Sequence, residues 1–482
     1  MIMAAQWDAI VVGSGPNGLA AAITLARAGL EVLVVEGRET VGGGMRSAEL
    51  TLPGFTHDVC SAVHPLGLAS PFFSTLPLER FGLKYLFPGL DAAHPFDDGT
   101  AAVLTRSVKQ TAESLGGDGR VYERLIAPVV EDWDRLRPQV LGPLRYPAHP
   151  LTLARFGVKA LRSARGLARK FATRNARGLW AGMAAHAMQP LENLSTAATA
   201  LVLLSAGHAA GWPVVEGGSG RLGEALAAYF RSLGGHIRTG TFVGSLAELP
   251  PARALLFDVT PRQLLRIAGR QFSALYRKQL IRYRYGPGAF KVDWALSGPV
   301  PFSAPACRRA ATVHLGGTLE EIARSEQEAW RGRYSDEPFV LLAQPTVVDP
   351  SRAPAGRHVA WAYCHVPHGS GRDRTRAIED QVERFAPGFR DTILATHTLD
   401  AVRLEQYNPN DVGGDINGGA MDITQLFTRP ALRLSPYGTS IRGVYICSAS
   451  TPPGGGVHGM CGHYAALRAL RDVFHTRVPA PR

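Results

Sequence analysis

The chain is poor in lysine, lacks any regular cysteine spacing and has no long apolar run. Only six of its 52 basic residues are lysine, at 84, 109, 159, 170, 278 and 291, and the rest are arginine. A ratio this lopsided reflects coding bias in part, so the formal charge of +12 is weakened as a sign of an anionic partner. Cysteines stand at 60, 307, 364, 447 and 461. Their odd number and irregular spacing exclude a disulfide framework and a CxxC pair, and they fit a reducing compartment. The histidines form no HxxxH pair and no carboxylate-paired set that would build a metal site. The longest apolar stretch, Leu194 to Ala206, contains Ser and Thr and is too short to span a bilayer. Met1 to Trp7 lacks the charged-then-apolar pattern of a secretory leader. These absences predict a cytoplasmic protein, peripheral at a membrane at most. What is present suffices for a large core: 482 residues, 45% of them hydrophobic. At roughly 150 residues per domain that is about three units, which excludes a disordered or collagen-like chain.

The N-terminus carries the strongest local pattern. Asp8 to Val12 is a short apolar, β-branched run that reads as a buried parallel strand. Gly13-Ser-Gly-Pro-Asn-Gly18 follows at once, and Leu19, Ala22, Ile23 and Ala26 then recur at helical spacing up to a stop at Gly29. Leu30 to Val35 forms a second strand ending in Glu36. Gly13 permits the tight turn, Gly15 the approach of a pyrophosphate, and Gly18 close packing of helix on strand. The helix start at Pro16 and Asn17 offers N–H groups to phosphate, and Glu36, followed by Gly37, would accept hydrogen bonds from a ribose diol. Strand, glycines, helix, strand and acid in register are specific for a dinucleotide. Gly42-Gly43-Gly44-Met45-Arg46-Ser47 comes next. A second glycine cluster here suits a flavin enzyme, with the segment running under the diphosphate and Arg46 as charge partner of a phosphate.

The last seventy residues extend this reading. Gln406-Tyr-Asn-Pro-Asn410, Gly413-Gly-Asp-Ile-Asn-Gly-Gly419 and Gln425-Leu-Phe-Thr-Arg-Pro430 precede an apolar strand, Val444 to Cys447. Ser448-Ala449-Ser-Thr-Pro-Pro-Gly-Gly-Gly456-Val457-His458-Gly-Met-Cys-Gly462 follows, then an alanine-rich helix. Together with residues 8–67 these segments resemble the phytoene-desaturase-like flavoproteins, and most closely their pyridine nucleotide-disulfide oxidoreductase domain-containing branch. The resemblance covers nearly the whole chain and is specific at residues 8–67 and 405–470. It implies FAD as cofactor, with Ser448, Ala449, Gly456, Val457 and His458 closing over the flavin and ribityl chain. Many relatives have Gly-Ala or Gly-Asp where this chain has Ser448-Ala449. In similar flavoproteins the backbone of a valine in a returning segment pairs with adenine, and Val243 in Gly234-Gly-His-Ile-Arg-Thr-Gly-Thr-Phe-Val243 is the candidate. The stretch from Val243 to Leu255 is short, so a β-meander found in many relatives is expected to be trimmed.

The expected fold is α/β, a Rossmann-like, glutathione-reductase-like FAD domain with an inserted α+β substrate domain. The FAD domain is assembled from 1–75, 212–262 and 405–482, and the substrate domain from 76–211 and 263–404. Gly218-Ser-Gly-Arg-Leu-Gly223 also matches GxGxxG, and Arg238 could meet a 2′-phosphate. However, its strand is only a few residues long and Glu216 would face the phosphates, so these glycines read as a packed helix start. From Arg135 to Leu191 there is no Asp or Glu. Basic residues from Arg155 to Arg177 interleave with Leu151, Leu153, Phe156, Leu161, Leu167 and Phe171. This is either a solvated lid or a basic amphipathic helix on an anionic membrane face. No nucleic-acid fold signature accompanies the charge.

A flavin does the hard step and the protein positions it. The leading reading is a desaturase or dehydrogenase passing a hydride from an apolar or lipid-like substrate to flavin N5, reoxidised by oxygen or quinone. An amine oxidase or hydroxylase on the same scaffold, a redox-neutral isomerase, and a flavin-binding protein without turnover are the alternatives. His64 and His458 are the candidates for a proton-accepting base, with His57, Cys60, Met460 and His463 as further neighbours of the flavin.

Overall fold

The structure, a computed structural model, describes residues 7–476. The outer ends of the first and last predicted FAD-domain segments, and all but the last residue of the stretch read as leader-free, lie outside the described residues. Five strands form an all-parallel sheet in the order Val444–Ile446, Ala252–Phe257, Trp7–Val12, Val32–Val35, His236–Arg238. Ala9 sits between Ala254 and Val32, and Val12 between Phe257 and Val35. The three inner strands read as continuous apolar runs because helices and loops bury both faces. Ile10, Val11 and Val34 are fully enclosed. Ligands in such sheets bind beyond the carboxyl ends of the strands, where the connections diverge to either side. That places attention on Val12, Val35 and Phe257. Between Val243 and Ala252 there is only the short turn Leu246–Glu248, so no meander is present.

A second sheet has seven strands in the order Ile393–Leu399, Gly288–Leu296, His358–Val366, Val340–Ala343, Ala310–Leu315, Leu90–Pro95, Ala101–Leu104. Its pairs are antiparallel except Ala310–Leu315 with Leu90–Pro95. The α+β expectation for the inserted part matches this mixed sheet. The basic region does not form one long helix. It breaks into Pro150–Ala160, Ala164–Ala168 and Arg174–Ala185, with the apolar 194–206 stretch in Thr196–Ala209. Ser163 and Thr173 cap the second and third of these helices through their hydroxyls, which stops continuation from one to the next. No helix among the described residues is long and apolar enough to cross a membrane.

The two ends of the chain meet. The helix Pro16–Ala26 packs along the helix Met460–Ala469, and small residues let the backbones nearly touch. A Cβ on Gly462 would stand 1.7 Å from the carbonyl oxygen of Asn17, and one on Gly18 would stand 2.1 Å from that of Gly13. His463 hydrogen-bonds Thr24 Oγ1 through Nδ1 at 2.9 Å and stacks on Phe72, which fixes the helices along their length. Backbone cannot yield to a methyl group as a flexible side chain can, and overpacking costs about 1–3 kcal/mol or more. Gly462→Ala is therefore expected to lower the melting temperature by several degrees. A melting curve superimposable on that of the native chain would contradict this contact.

Candidate functional site: a dinucleotide groove opening into an apolar chamber

At the carboxyl ends of the parallel strands lies one cavity of about 1370 Å³. It is lined by Gly13, Gly15, Pro16, Asn17, Glu36 and Gly37, then by Gly43, Gly44 and Arg46. Val243 reaches it from the returning segment, and Ser448, Ala449, Gly456, Val457 and His458 from the C-terminal side. Residues hundreds of positions apart thus share one wall. Gly18 and Met45 do not line it. Gly18 is spent on packing against the turn, and Met45 is fully buried in the core beneath the parallel sheet.

The floor of the groove is shaped for something that comes close to backbone. Gly13 has φ +99°, a left-handed conformation that glycine adopts freely. A Cβ on Gly43 would lie 2.8 Å from Gly15 Cα, and one on Gly15 would lie 2.7 Å from Asp258 Oδ2. The helix Pro16–Ala26 points its N-terminus here, with Pro at its first position, where no N–H is needed.

The two charged residues of the predicted set are arranged differently from expectation. Glu36 stands at the end of its strand, but its carboxylate is already occupied. Oε2 accepts from Ser14 N at 2.9 Å and Ser14 Oγ at 2.6 Å, while Oε1 accepts from Arg38 N at 2.9 Å and Arg46 Nη2 at 3.0 Å. Arg46 is not free for a phosphate, because it pairs with Glu36 and also donates to the Thr40 carbonyl at 2.8 Å. Its charge neutralises the acid and holds the loop 40–46.

Sequence reasoning passed over three further wall residues. Asp258, at the end of the strand Ala252–Phe257, accepts from Gly18 N at 2.8 Å. Burial pushes its carboxyl up to about 7; the Gly18 N–H works against this and the nearby Glu36 charge adds to it. Tyr407 lines the groove and is anchored by Arg38, which donates to its carbonyl and lies over its ring at 5.1 Å. Arg429 is 1% exposed and clamps the C-terminal loop, donating to the carbonyls of Ala449 at 2.9 Å and Ser450 at 3.3 Å. Asp258, Tyr407 and Arg429 stand in motifs that were legible, but their roles depend on partners far away in the chain.

The histidines separate by partner. His64 lines the cavity, and its Nε2 bonds Ser219 Oγ at 2.8 Å. Ser219 Oγ donates its own hydrogen to Ser61 O, so His64 donates from Nε2 and keeps Nδ1 unpartnered. Burial pushes His64 down to about 4, which leaves it neutral at ordinary pH. His458 also lines the cavity, but Met460 N–H donates to its Nδ1 at 3.1 Å and the carbonyls of Gly454 and Gly455 face the ring. That ring holds the glycine loop in place. Cys60 lines the cavity, whereas His57, Met460 and His463 do not. Cys60 and Cys461 are both free thiols.

The second glycine box is closed by the protein's own groups. Ser219 N donates to Asp58 Oδ1 at 2.8 Å, Gly220 N to Ser47 Oγ at 3.0 Å and Gly217 N to Asp349 Oδ2 at 2.7 Å. Asp58 is fully buried and paired with Arg352 at 2.8 Å. Two carboxylates occupy the place a phosphate would need, which bears out the packed-helix reading of these glycines.

With this geometry in view, the likenesses to known proteins can be placed. A family described as NAD(P)-binding Rossmann-like domain matches residues 11–73. Pyridine nucleotide-disulfide oxidoreductase domain-containing protein 2 of Rattus norvegicus is 26% identical over 97% of this chain and 94% of that protein. All-trans-zeta-carotene desaturase of Myxococcus xanthus is 24% identical over 93% and 90%. The chain is an oxidoreductase similar to the phytoene-desaturase-like flavoproteins. A limonene dehydrogenase component of Castellaniella defragrans, 24% identical over 97% and 95%, is a further relative. A solved putrescine oxidase variant shares the fold at TM-score 0.62, with 17% identity over 97% of this chain and 99% of that one. A flavin is the cofactor that these likenesses suggest.

The state of Asp258 gives a pH dependence. Its folded-state pKa of about 7 lies above the ordinary 3.8. The protonated form thus contributes stability that is full below about pH 4 and is lost as pH rises through about 7. Asp258→Asn keeps an acceptor for Gly18 N but does not titrate. The variant's melting temperature is expected to fall less than the native one between about pH 5 and pH 8, and its cofactor affinity to fall less too. Parallel pH profiles for the two proteins would count against a raised pKa.

Proposed function

We propose that the chain binds FAD and acts as a desaturase or dehydrogenase on an apolar, lipid-like substrate. The observation that carries this is the continuity of the cavity. The dinucleotide groove runs without a partition into a chamber walled by Ala62, Val202, Trp212, Leu341 and Trp361. The whole exceeds the roughly 300–1,000 Å³ of a single-ligand pocket and has room for two molecules end to end.

The residues fit the cofactor as follows. Gly13, Gly15 and the helix start at Asn17 would hold the diphosphate, Glu36 the adenosine ribose, and Val243 the adenine. Gly43, Gly44, Ser448, Ala449, Gly456 and Val457 would flank the ribityl chain and ring. When bound, the flavin supplies a two-electron acceptor that oxygen or a quinone can regenerate. The chain's own part is to exclude water, align the substrate and take up its proton. His64, neutral and with Nδ1 unpartnered, is the group suited to receive that proton. His458 is suited to holding the loop. The chamber disfavours a cationic amine. Its wall from Gln139 to Trp212 includes no Asp or Glu, and the Trp361 face already carries the Lys291 ammonium at 5.1 Å. Trp361 and Tyr363 stack on each other, with centroids 5.9 Å apart, and leave no slot between them.

The test is an absorbance spectrum of the purified protein, followed by anaerobic photoreduction and titration with oxygen or quinone. A yellow protein that releases FAD on heating and cycles between oxidised and reduced forms is expected. Gly15→Val should remove the colour while circular dichroism stays native, because the new side chain fills the diphosphate's place. A colourless native protein, or a flavin that neither reduces nor reoxidises, would sink the reading.

A further inference from the structure

The chamber is apolar along most of its wall, but one polar device is built into it. Between Leu153 and Trp212 the wall residues include no Lys, Arg, Asp or Glu. Gln189 and Ser195 stand there, and both are spent on neighbouring groups. Gln189 Oε1 accepts from Asn193 Nδ2 at 3.2 Å and its Nε2 donates to Met421 O at 3.3 Å, while Ser195 Oγ donates to Leu194 O at 2.5 Å. Thr199 adds a hydroxyl from the helix Thr196–Ala209. His186 is different. It ends the helix Arg174–Ala185, lines the chamber, and is tied to a second histidine behind the wall.

That second histidine is His314, on the strand Ala310–Leu315 and fully buried. The two Nε2 atoms are 3.1 Å apart, with the rings edge to face. Burial pushes His186 down to about 4 and His314 well below its ordinary range, so each ring carries one proton at ordinary pH. Between two neutral rings, one Nε2 donates and the other accepts. His314 Nδ1 is sealed from solvent and has no hydrogen-bond partner. It faces Gly182. A Cβ there would stand 2.7 Å from it, so a Cα hydrogen of Gly182 is directed toward the nitrogen. A lone pair suits that hydrogen, whereas a proton on Nδ1 would be a buried donor with no acceptor. His314 therefore keeps its proton on Nε2 and donates to His186 Nε2. The proton of His186 is left on Nδ1, which has no partner among the described residues and is not sealed from the chamber. The pair thus turns one fixed N–H toward an otherwise apolar space.

We propose that this Nδ1–H of His186 binds an uncharged oxygen, a carbonyl or a hydroxyl, on the apolar substrate. The proposal rests on the reading of the chamber as a substrate site and narrows the class of molecule it takes. His314 is a positioning residue, since it acts only through the tautomer of His186. A pure hydrocarbon would leave the N–H unsatisfied. A carboxylate would bring a charge that no cation on this part of the wall answers. The bond also fixes which end of an elongated molecule lies at His186, and so which carbon along it stands at the dinucleotide groove.

The experiment is quenching of tryptophan fluorescence, since Trp212 and Trp361 line the chamber. The purified full-length protein is titrated with methyl hexyl ketone, octane and octanoate, probes of equal carbon count. The presence of a flavin is read separately from the absorbance spectrum, so a failure here and a failure of the redox reading are told apart. His186→Phe keeps a flat ring without an N–H. It is expected to lower ketone affinity about tenfold and to leave octane affinity within about twofold. His186→Asn keeps an N–H near the place of Nδ1 and should recover most of the ketone affinity. Octanoate should bind the native protein more weakly than the ketone does. Nitrogen NMR of histidine-labelled native protein should show His186 in the Nδ1–H form, and melting curves report the folding of each variant. No ketone binding by the native protein, an affinity unmoved by His186→Phe, an equal loss for ketone and octane, octanoate binding tighter than the ketone, or His186 in the Nε2–H form would each overturn the proposal.

Discussion

The architecture depends on backbone meeting backbone at two glycines. Gly18 sits against the carbonyl of Gly13, and Gly462 against that of Asn17, at distances no side chain would tolerate. The first contact sets the pitch of the helix Pro16–Ala26 over its strand, and the second sets the helix Met460–Ala469 against it. Once both are made, the loop 448–458 comes to lie over the groove, and the wall of the cavity is complete. Hydrophobic burial supplies the drive toward a compact state, but it is non-directional and would allow many relative placements of these helices. The absence of two methyl groups selects one.

Electrostatics is handled by internal pairing more than by exposure. Arg46 and Glu36 neutralise each other beside the groove, and Arg352 and Asp58 do so behind the second glycine box. Removing one member of a buried pair leaves an uncompensated charge, which is why such pairs constrain a site even where their net contribution is small. Both glycine-rich helix starts donate N–H groups to protein carboxylates, but only the one at Gly13–Asn17 lines the cavity. That difference, and not the glycine pattern, distinguishes a binding site from a packing device.

Much of this was legible in the sequence. The strand–glycine–helix–strand unit around Gly13 and Glu36 has a short-range code, and the stops at Gly29 and the acid at 36 fall where that code puts them. The likeness of 405–470 to a known family brought the other end of the chain to the same groove. What stayed hidden was whatever depends on a distant partner. Glu36 was expected to be open to a ribose, but Ser14 and Arg46 engage it, and Arg46 lies ten residues away with its direction set by a loop. Asp258 gained its importance from Gly18, and Arg429 from the carbonyls of Ala449 and Ser450. His458 was a candidate base as a C-terminal neighbour of the flavin, and its bonds to the backbone of Met460, Gly454 and Gly455 could not be read from the sequence. The single helix expected over 151–178 breaks because Ser163 and Thr173 are caps, a local signal that arginine-rich amphipathic spacing outweighed.

The order in which the cavity wall is encoded also matters for the history of each molecule. Gly13 to Arg46 leave the ribosome first, Val243 and Asp258 about midway, and Ser448 to His458 near the end. At roughly 5–20 residues per second, tens of seconds separate the floor of the groove from its cover. Throughout synthesis the nascent chain therefore exposes an apolar hollow that nothing can yet seal. Completion of the groove is thereby a late event in biogenesis, and an interrupted polypeptide is left as a client for chaperones or proteases.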